Sequence, residues 1–187
     1  MNRGAGGTQT VLIVEDEQHL ADLYTDYLAT AEYDVVTAYG GEEAIELLDR
    51  EPDIVLLDRR MPVVSGNEVL AEIEESSVDC QIAMVTAVNP DFEIIEMGVD
   101  DYIVKPVTRD ELVEVVERLE KIADYNDQLR RLTTKKLKRN VLQLEKTESE
   151  LRESDQYNRL QSDIDEIETS VDALADELDV EEEDLRL

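Results

Sequence analysis

Through the first 120 positions, short runs of β-branched and leucine residues alternate with longer stretches whose apolar positions recur at steps of three and four. The runs are Val11–Val14, Asp34–Thr37, Ile54–Leu57, Ile82–Val85 and Tyr102–Val104. Between and after them lie Gln18–Ala31, Glu42–Arg50, Asn67–Glu75, Phe92–Met97 and a stretch starting at Asp110. Period-two or unbroken apolar runs predict strands and the 3.6 periodicity predicts helices, so five βα units follow. Ile54-Val55-Leu56-Leu57 has no polar position at all, as expected when helices cover both faces of a parallel sheet. The predicted fold is α/β, a doubly wound (βα)5 parallel sheet. In such a sheet ligands sit at the carboxyl ends of the strands, which fixes where chemistry is to be sought.

After Gly98 and Pro106 the chain has neither glycine nor proline, and residues 107–187 read as helix almost throughout. Leu112, Val115, Leu119, Ile122, Asn126, Leu129 and Thr133 make one 3,4-spaced register, and Tyr157, Leu160, Ile164, Ile167, Val171, Leu174 and Leu178 make another. The extension is predicted to be an all-α helical hairpin or coiled coil, broken within Ser149–Asp155 with Ser154 as N-cap. Thr133-Thr134 is a second candidate break. Asn126 and Thr133, at core positions, are placed to set register in a helical pair. The two stripes can also be read as packing on the globular domain.

Charge changes the picture. The 187 residues include 48 acidic and 18 basic ones, for a net charge of −30. Residues 1–120 hold 29 acids and 7 bases, with Lys105 the single lysine, while 121–187 hold 19 and 11. An acidic, lysine-poor surface suits near-molar salt, where a Debye length of ~3 Å suppresses self-repulsion. An ordinary acidic protein is the other reading. Neither is drawn to nucleic acid or anionic lipid by its overall charge. No apolar run approaches the ~20 residues of a bilayer span, and Met1–Thr10 lacks the apolar core of a secretory signal, so a cytoplasmic location is expected. One cysteine, Cys80, and one histidine, His19, exclude a disulfide framework, multi-cysteine metal sites and most histidine-based chemistry. His19 is expected on an exposed helix face and Cys80 in packing.

Glu15 and Asp16 follow the first strand and Asp58 the third, so all three carboxylates converge on one edge of the sheet. Such a gathering costs free energy unless a hard divalent cation shares it, and Mg²⁺ accepts carboxylate oxygens in this way. Thr86 ends the fourth strand and Lys105 the fifth. A phosphoryl group in transfer spreads negative charge over its oxygens, which a metal and a cationic side chain neutralise. Asp58 is then the nucleophile, and the Thr86 hydroxyl and Lys105 ammonium bind the product's oxygens. A Mg²⁺-dependent phosphohydrolase of external substrates shares these groups, but no general acid or cap domain is evident for it.

Glu15-Asp16, Asp58 within Leu57-Asp58-Arg59-Arg60-Met61-Pro62, Thr86-Ala87 and Lys105-Pro106 together resemble the receiver domain of two-component response regulators, a CheY-like, flavodoxin-like fold, over residues 8–122. The resemblance implies phosphorylation of Asp58 by a sensor histidine kinase and Mg²⁺ held by Asp16, Asp58 and the Arg60 backbone carbonyl, with Glu15 acting through water. It implies a protein that catalyses only its own phosphorylation and dephosphorylation, and so no enzyme acting on other substrates. Thr86 and Tyr102 correspond to its switch pair, which remodels the face of the fourth helix, fifth strand and fifth helix, roughly Asp91 to Val116, used for dimerisation or output. The acidic pair here is Glu-Asp where Asp-Asp is commoner. Arg60, two residues past Asp58, either tunes dephosphorylation by steering the hydrolytic water or is a surface arginine paired with nearby acids.

Residues 123–180, through the Glu120–Asn126 junction, Leu144–Glu148 and Leu151–Tyr157, resemble the HalX domain that follows receivers in haloarchaea, a likeness that agrees with the acidic composition and supplies no chemistry. Residues 1–7 and 181–187 are expected to be flexible. Within Arg130–Arg139 six of ten residues are basic and none acidic. One reading is a solvated face that pairs with the acid-rich helix 148–184 folded back on it; the other is a DNA contact in a transcriptional regulator. Phosphate contacts lose affinity at a log-log slope of about −0.9 per contact, which disfavours DNA in concentrated salt. The expected partners are therefore a histidine kinase and a second copy or helical protein, with no membrane.

Overall fold

The computed structural model describes residues 9–184 except Ser77 and Asp91. They form two compact units, one ending at Glu120 and one beginning at Lys121. The first unit has strands β1 (Thr10–Val14), β2 (Asp34–Ala38), β3 (Ile54–Leu57), β4 (Gln81–Thr86) and β5 (Asp101–Val104) in the order β2-β1-β3-β4-β5, all pairs parallel. Helices α1 (Gln18–Thr30), α2 (Gly41–Leu47) and α3 (Gly66–Glu75) separate the first strands, and α4 (Arg109–Glu145) follows the last. The order reverses between β1 and β3, which is where a doubly wound sheet opens a crevice.

Alternation along the strands divides the core in two. Leu12, Val14, Val55, Leu57, Ile82 and Met84 share one buried cluster with Ala44 of α2, Leu48, and Val69, Leu70 and Ile73 of α3. Val11, Ile13, Ile54, Leu56, Ala83 and Val85 point to the opposite face, where the buried residues are Ala21, Tyr24 and Leu28 of α1 and Leu112, Val115, Val116 and Leu119 of α4. Ser65 opens α3 with a capping box to Glu68.

One of the five βα units differs from expectation. Phe92–Glu96 is a 3₁₀ helix, not an α-helix, and it leaves Phe92 and Ile95 exposed. The stretch is five residues long, and so short a segment gains too little from propagation to repay an α-helical nucleus.

In the second unit α4 continues to Glu145, followed by α5 (Glu148–Arg152) and α6 (Asp155–Asp184). Of the ends expected to be flexible, 1–7 and 185–187 lie outside the described residues, whereas 181–184 continue helix α6. Side-chain partners descend along α6 as they ascend along α4: Lys121 meets Glu177 at 3.8 Å, Gln128 Nε2 donates to Ser170 Oγ at 2.9 Å, and Lys135 meets Asp163 at 2.6 Å. The two helices are antiparallel, and the steps of seven on both sides are those of a coiled coil. Leu132, Ile164, Ile167 and Val171 form the core, with Tyr125 and Leu160 packed on it.

The register Tyr157 to Leu178 faces that core. The register through Leu129 and Thr133 does not, because both are exposed while Leu132 is 6 % exposed. At about 100° per residue, Tyr125, Gln128 and Leu132 fall within about 60° of one another around α4, while Thr133 lies about 100° from Leu132. There is no break at Thr133-Thr134; their hydroxyls donate to the Leu129 and Arg130 carbonyls at 2.8 and 3.0 Å and the helix continues. The turn comes in two steps. Thr147 forms a capping box with Glu150 at the start of α5, and the Ser154 hydroxyl accepts from the Tyr157 N–H at 3.2 Å at the start of α6.

Ile164→Ala or Leu132→Ala should lower stability by about 2–5 kcal/mol in thermal or denaturant melts, whereas Leu129→Ala should change it by less than ~0.5 kcal/mol. The Thr147 N–H and hydroxyl, both bonded to Glu150, hold its carboxyl below the ordinary 4.5. A depressed folded value means that the contribution is complete above the unfolded pKa and is lost as pH falls through the folded one. Glu150→Gln should therefore flatten the loss of the tail's helicity, followed by circular dichroism, as pH falls below the ordinary carboxylate range of about 4.3.

Candidate functional site

The strand ladders extend one residue past the sheet and so place the polar groups. The Asp58 N–H donates to the Val14 carbonyl at 2.9 Å, the Glu15 N–H to Ala38 at 3.1 Å and the Lys105 N–H to Thr86 at 2.9 Å. Glu15 and Asp58 thus stand side by side on β1 and β3. Lys105, two strands from Asp58, is about 10 Å away at ~4.8 Å per strand, within the reach of an extended lysine. Its Nζ donates to Glu15 Oε2 at 2.5 Å and to Asp58 Oδ2 at 2.7 Å. The other oxygens accept from the backbone: Asp58 Oδ1 from the Arg60 N–H at 3.2 Å and Glu15 Oε1 from the Glu17 N–H at 3.3 Å.

Asp16 completes the cluster. Oxygens of Glu15, Asp16 and Asp58 all lie within 4.8 Å of one another, with Glu15 and Asp58 buried and Asp16 half-buried. Three carboxylates face one ammonium, which leaves uncompensated negative charge in a place largely removed from water. An all-oxygen donor set of this charge suits a hard divalent ion such as Mg²⁺. Burial pushes the Glu15 carboxyl above its ordinary value against the pull of Lys105. Burial on its own would lower the Lys105 ammonium, but the bonds to Asp58 and Glu15 outweigh it and hold the group above its ordinary value.

Thr86 is fully buried at the end of β4, and its hydroxyl accepts from the Val88 N–H at 3.4 Å. The Tyr102 hydroxyl donates to the Val88 carbonyl at 2.8 Å. One residue, Val88, is therefore bonded on both sides, to each of the two groups singled out as a pair. His19 is exposed, as expected. Cys80 is half-buried, and burial, reinforced by Asp100, Asp79 and Asp53, pushes its thiol up to about 12, so it stays protonated and unreactive.

Three supporting residues escaped the sequence reading. A Cβ on Gly66 would lie 2.2 Å from the Asp58 carbonyl oxygen, so only glycine lets α3 start against the back of the loop that carries Asp58. A glycine eight residues after an acidic strand end was the available signal. Val63 adopts φ 68° with the Val64 N–H donating to the Pro62 carbonyl at 2.8 Å, a γ-turn that a β-branched residue rarely tolerates. Tyr24, 2 % exposed on α1, has a hydroxyl with no partner among the described residues, and burial followed by the negative charges of Glu15 and Asp58 raises its pKa. No pattern in the sequence shows where a helical tyrosine's hydroxyl ends.

With this geometry the comparisons agree. Residues 11–117 match the response regulator receiver domain and residues 121–187 the HalX domain. The chain belongs to the response regulator receiver family, with a HalX domain after the receiver. It is 53 % identical over 111 residues to a protein of Haloferax volcanii named "Putative transcriptional regulator", covering 59 % of this chain and 19 % of that one. It is 36 % identical over 112 residues to the response regulator SaeR of Staphylococcus aureus, covering 58 % and 49 %. The chain thus spans less than half the length of these relatives. Among solved structures, the chemotaxis protein CheY4 of Vibrio cholerae superposes with a TM-score of 0.57 at 27 % identity, over 60 % of this chain and 99 % of that one. The receiver domain of a sensor histidine kinase from Pseudomonas aeruginosa PAO1, with a magnesium ion in its active-site cleft, gives 0.56 at 27 %, over 60 % and 98 %. No helix among the described residues is long and apolar enough to cross a membrane.

Tyr24→Phe keeps the ring and removes the unpartnered oxygen. Because a buried unsatisfied hydroxyl costs ~1–3 kcal/mol, the variant should unfold at higher denaturant concentration than wild type; a lower midpoint would mean that the hydroxyl is hydrogen-bonded in solution.

Proposed function

We propose that this chain is a cytoplasmic response regulator that accepts a phosphoryl group on Asp58 from a sensor histidine kinase and delivers its output through protein–protein contacts. The observation that carries the reading is the Lys105 ammonium bonded at once to Asp58 and Glu15 beside Asp16. Asp16, Asp58 and the Arg60 carbonyl, with Glu15 alongside, are the groups that would hold Mg²⁺. When bound, that ion supplies positive charge for the phosphoryl oxygens.

An Asp58 carboxylate oxygen displaces the donor's imidazole nitrogen at phosphorus, forming a P–O bond as the P–N bond breaks. Lys105 then moves its hydrogen bond from the Asp58 carboxylate to a phosphoryl oxygen, and its raised pKa keeps it cationic as it does so. The Thr86 hydroxyl turns toward the new oxygens and gives up the Val88 N–H. Val88 shifts, the Tyr102 hydroxyl loses its acceptor, and the face near residues 91–116 is remodelled. Arg60, exposed beside the site, tunes hydrolysis of the product. The protein catalyses only its own phosphorylation and dephosphorylation.

The relatives include a protein named as a transcriptional regulator, and DNA binding through residues 130–139 is the competing output. Against it, Lys135 and Lys136 are engaged by Asp163 and Glu168 at 2.6 and 2.5 Å.

With acetyl phosphate and Mg²⁺ in concentrated salt, mass spectrometry should show one added phosphoryl group on wild type and none on Asp58→Asn. Lys105→Ala should slow the reaction by about 10²-fold or more, as loss of a charge-stabilising donor does elsewhere. Phosphorylation that persists in Asp58→Asn would overturn the assignment.

A further inference from the structure

Helix α4 has a second apolar stripe within the tail. Leu137, Val141 and Leu144 lie on the side turned away from Leu132, with Leu129 at the edge of that side, and they are 61, 59, 86 and 40 % exposed. The inner face, with Tyr125, Gln128, Leu132 and Lys135, is already occupied by α6. In a surface otherwise dominated by charge, four large apolar side chains along about 22 Å of one helix mark a contact surface.

Charge along the stripe selects the occupant. Arg130, Arg131 and Lys138 flank its first half, Arg131 also meeting Asp127 at 3.9 Å, while Glu145, Lys146 and Glu148 leave its far end net acidic. A second copy laid antiparallel brings the basic half of one stripe to the acidic end of the other, twice over. A parallel copy would set like charges opposite each other. Only a self-complementary patch can form an isologous two-fold contact, and this one is self-complementary in one direction.

We propose that the tail forms an antiparallel homodimer through this stripe, with Leu137 of each copy against Val141 of the other. The tail becomes a four-helix assembly in which α6 covers one side of α4 and the second copy's α4 covers the other. The buried patch is small beside the ~800 Å² per partner of a standard interface, so the dimer is a reversible, micromolar-range one. The proposal rests on reading the tail as an assembly element and not on the chemistry at Asp58.

Antiparallel pairing in this register puts position 137 about 6 Å along the axis from its mate and position 129 about 30 Å from its own. The test uses the full chain with Cys80→Ser, carrying Leu137→Cys or Leu129→Cys, under mild oxidation in concentrated salt. Light scattering on the cysteine-free chain should show the mass doubling with concentration. A disulfide-linked dimer should form at 137 and not at 129, and adding Leu144→Glu should abolish it without moving the melting temperature. A chain that stays monomeric at millimolar concentration, or one that cross-links equally at 129, overturns the proposal. Repeating the experiment with Asp58→Asn should leave the cross-link intact, so that failure at the phosphoryl site and failure of the dimer are read separately.

Discussion

Three carboxylates whose oxygens lie within 4.8 Å of one another, two of them bonded to a single ammonium, are the constraint on which the rest of the first unit depends. Like charges this close, with two of the three carboxylates buried, repel strongly unless they are matched by cations and by N–H donors. The sheet meets part of that demand through backbone geometry: Glu15 and Asp58 each sit one residue past a strand, where the N–H two positions on bonds a carboxylate oxygen. Lys105 meets the remainder from the far side of the sheet. What is left over is a negative, oxygen-lined recess at the point where strand order reverses, fit for a divalent ion and for a group that arrives with it.

The surroundings of that recess are set by space as much as by charge. Gly66 admits no side chain against Asp58, Val63 is held in a γ-turn of the same loop, and Tyr24 keeps a hydroxyl buried beneath the acids. Strain such as that of Val63, a β-branched residue at φ 68°, persists only where neighbouring structure imposes it. Val88 transmits the site's state outward in the plainest way available, by having its N–H bonded to one side chain and its carbonyl to another.

The tail solves a different problem. It has no loop chemistry to speak of and stabilises itself by packing two long helices with a seven-residue beat of polar pairs across Leu132, Ile164, Ile167 and Val171. The basic decade 130–139, which looked anomalous in so acidic a chain, contributes Lys135 to that beat. Two of its six cations, Lys135 and Lys136, meet acids of the returning helix, Asp163 and Glu168, and so join the two helices across the hairpin.

The strands, the order of helices, the acidic pair, Asp58, Thr86 and Lys105 were all legible from local pattern, because strand periodicity and the residue following a strand are properties of neighbouring positions. The register Tyr157–Leu178 was legible for the same reason. The register through Leu129 and Thr133 misled, since two overlapping apolar stripes run along α4 and periodicity alone does not say which one meets α6. Likewise the Phe92 stretch carried a helical pattern but no packing partner that its five residues could report. Sequence determined which groups are present and on which element each stands. Tertiary structure decided which of them touch, because the Lys105 bridge across the sheet, the close approach at Gly66, the orphaned Tyr24 hydroxyl and the choice between helix faces all arise from segments distant in the chain.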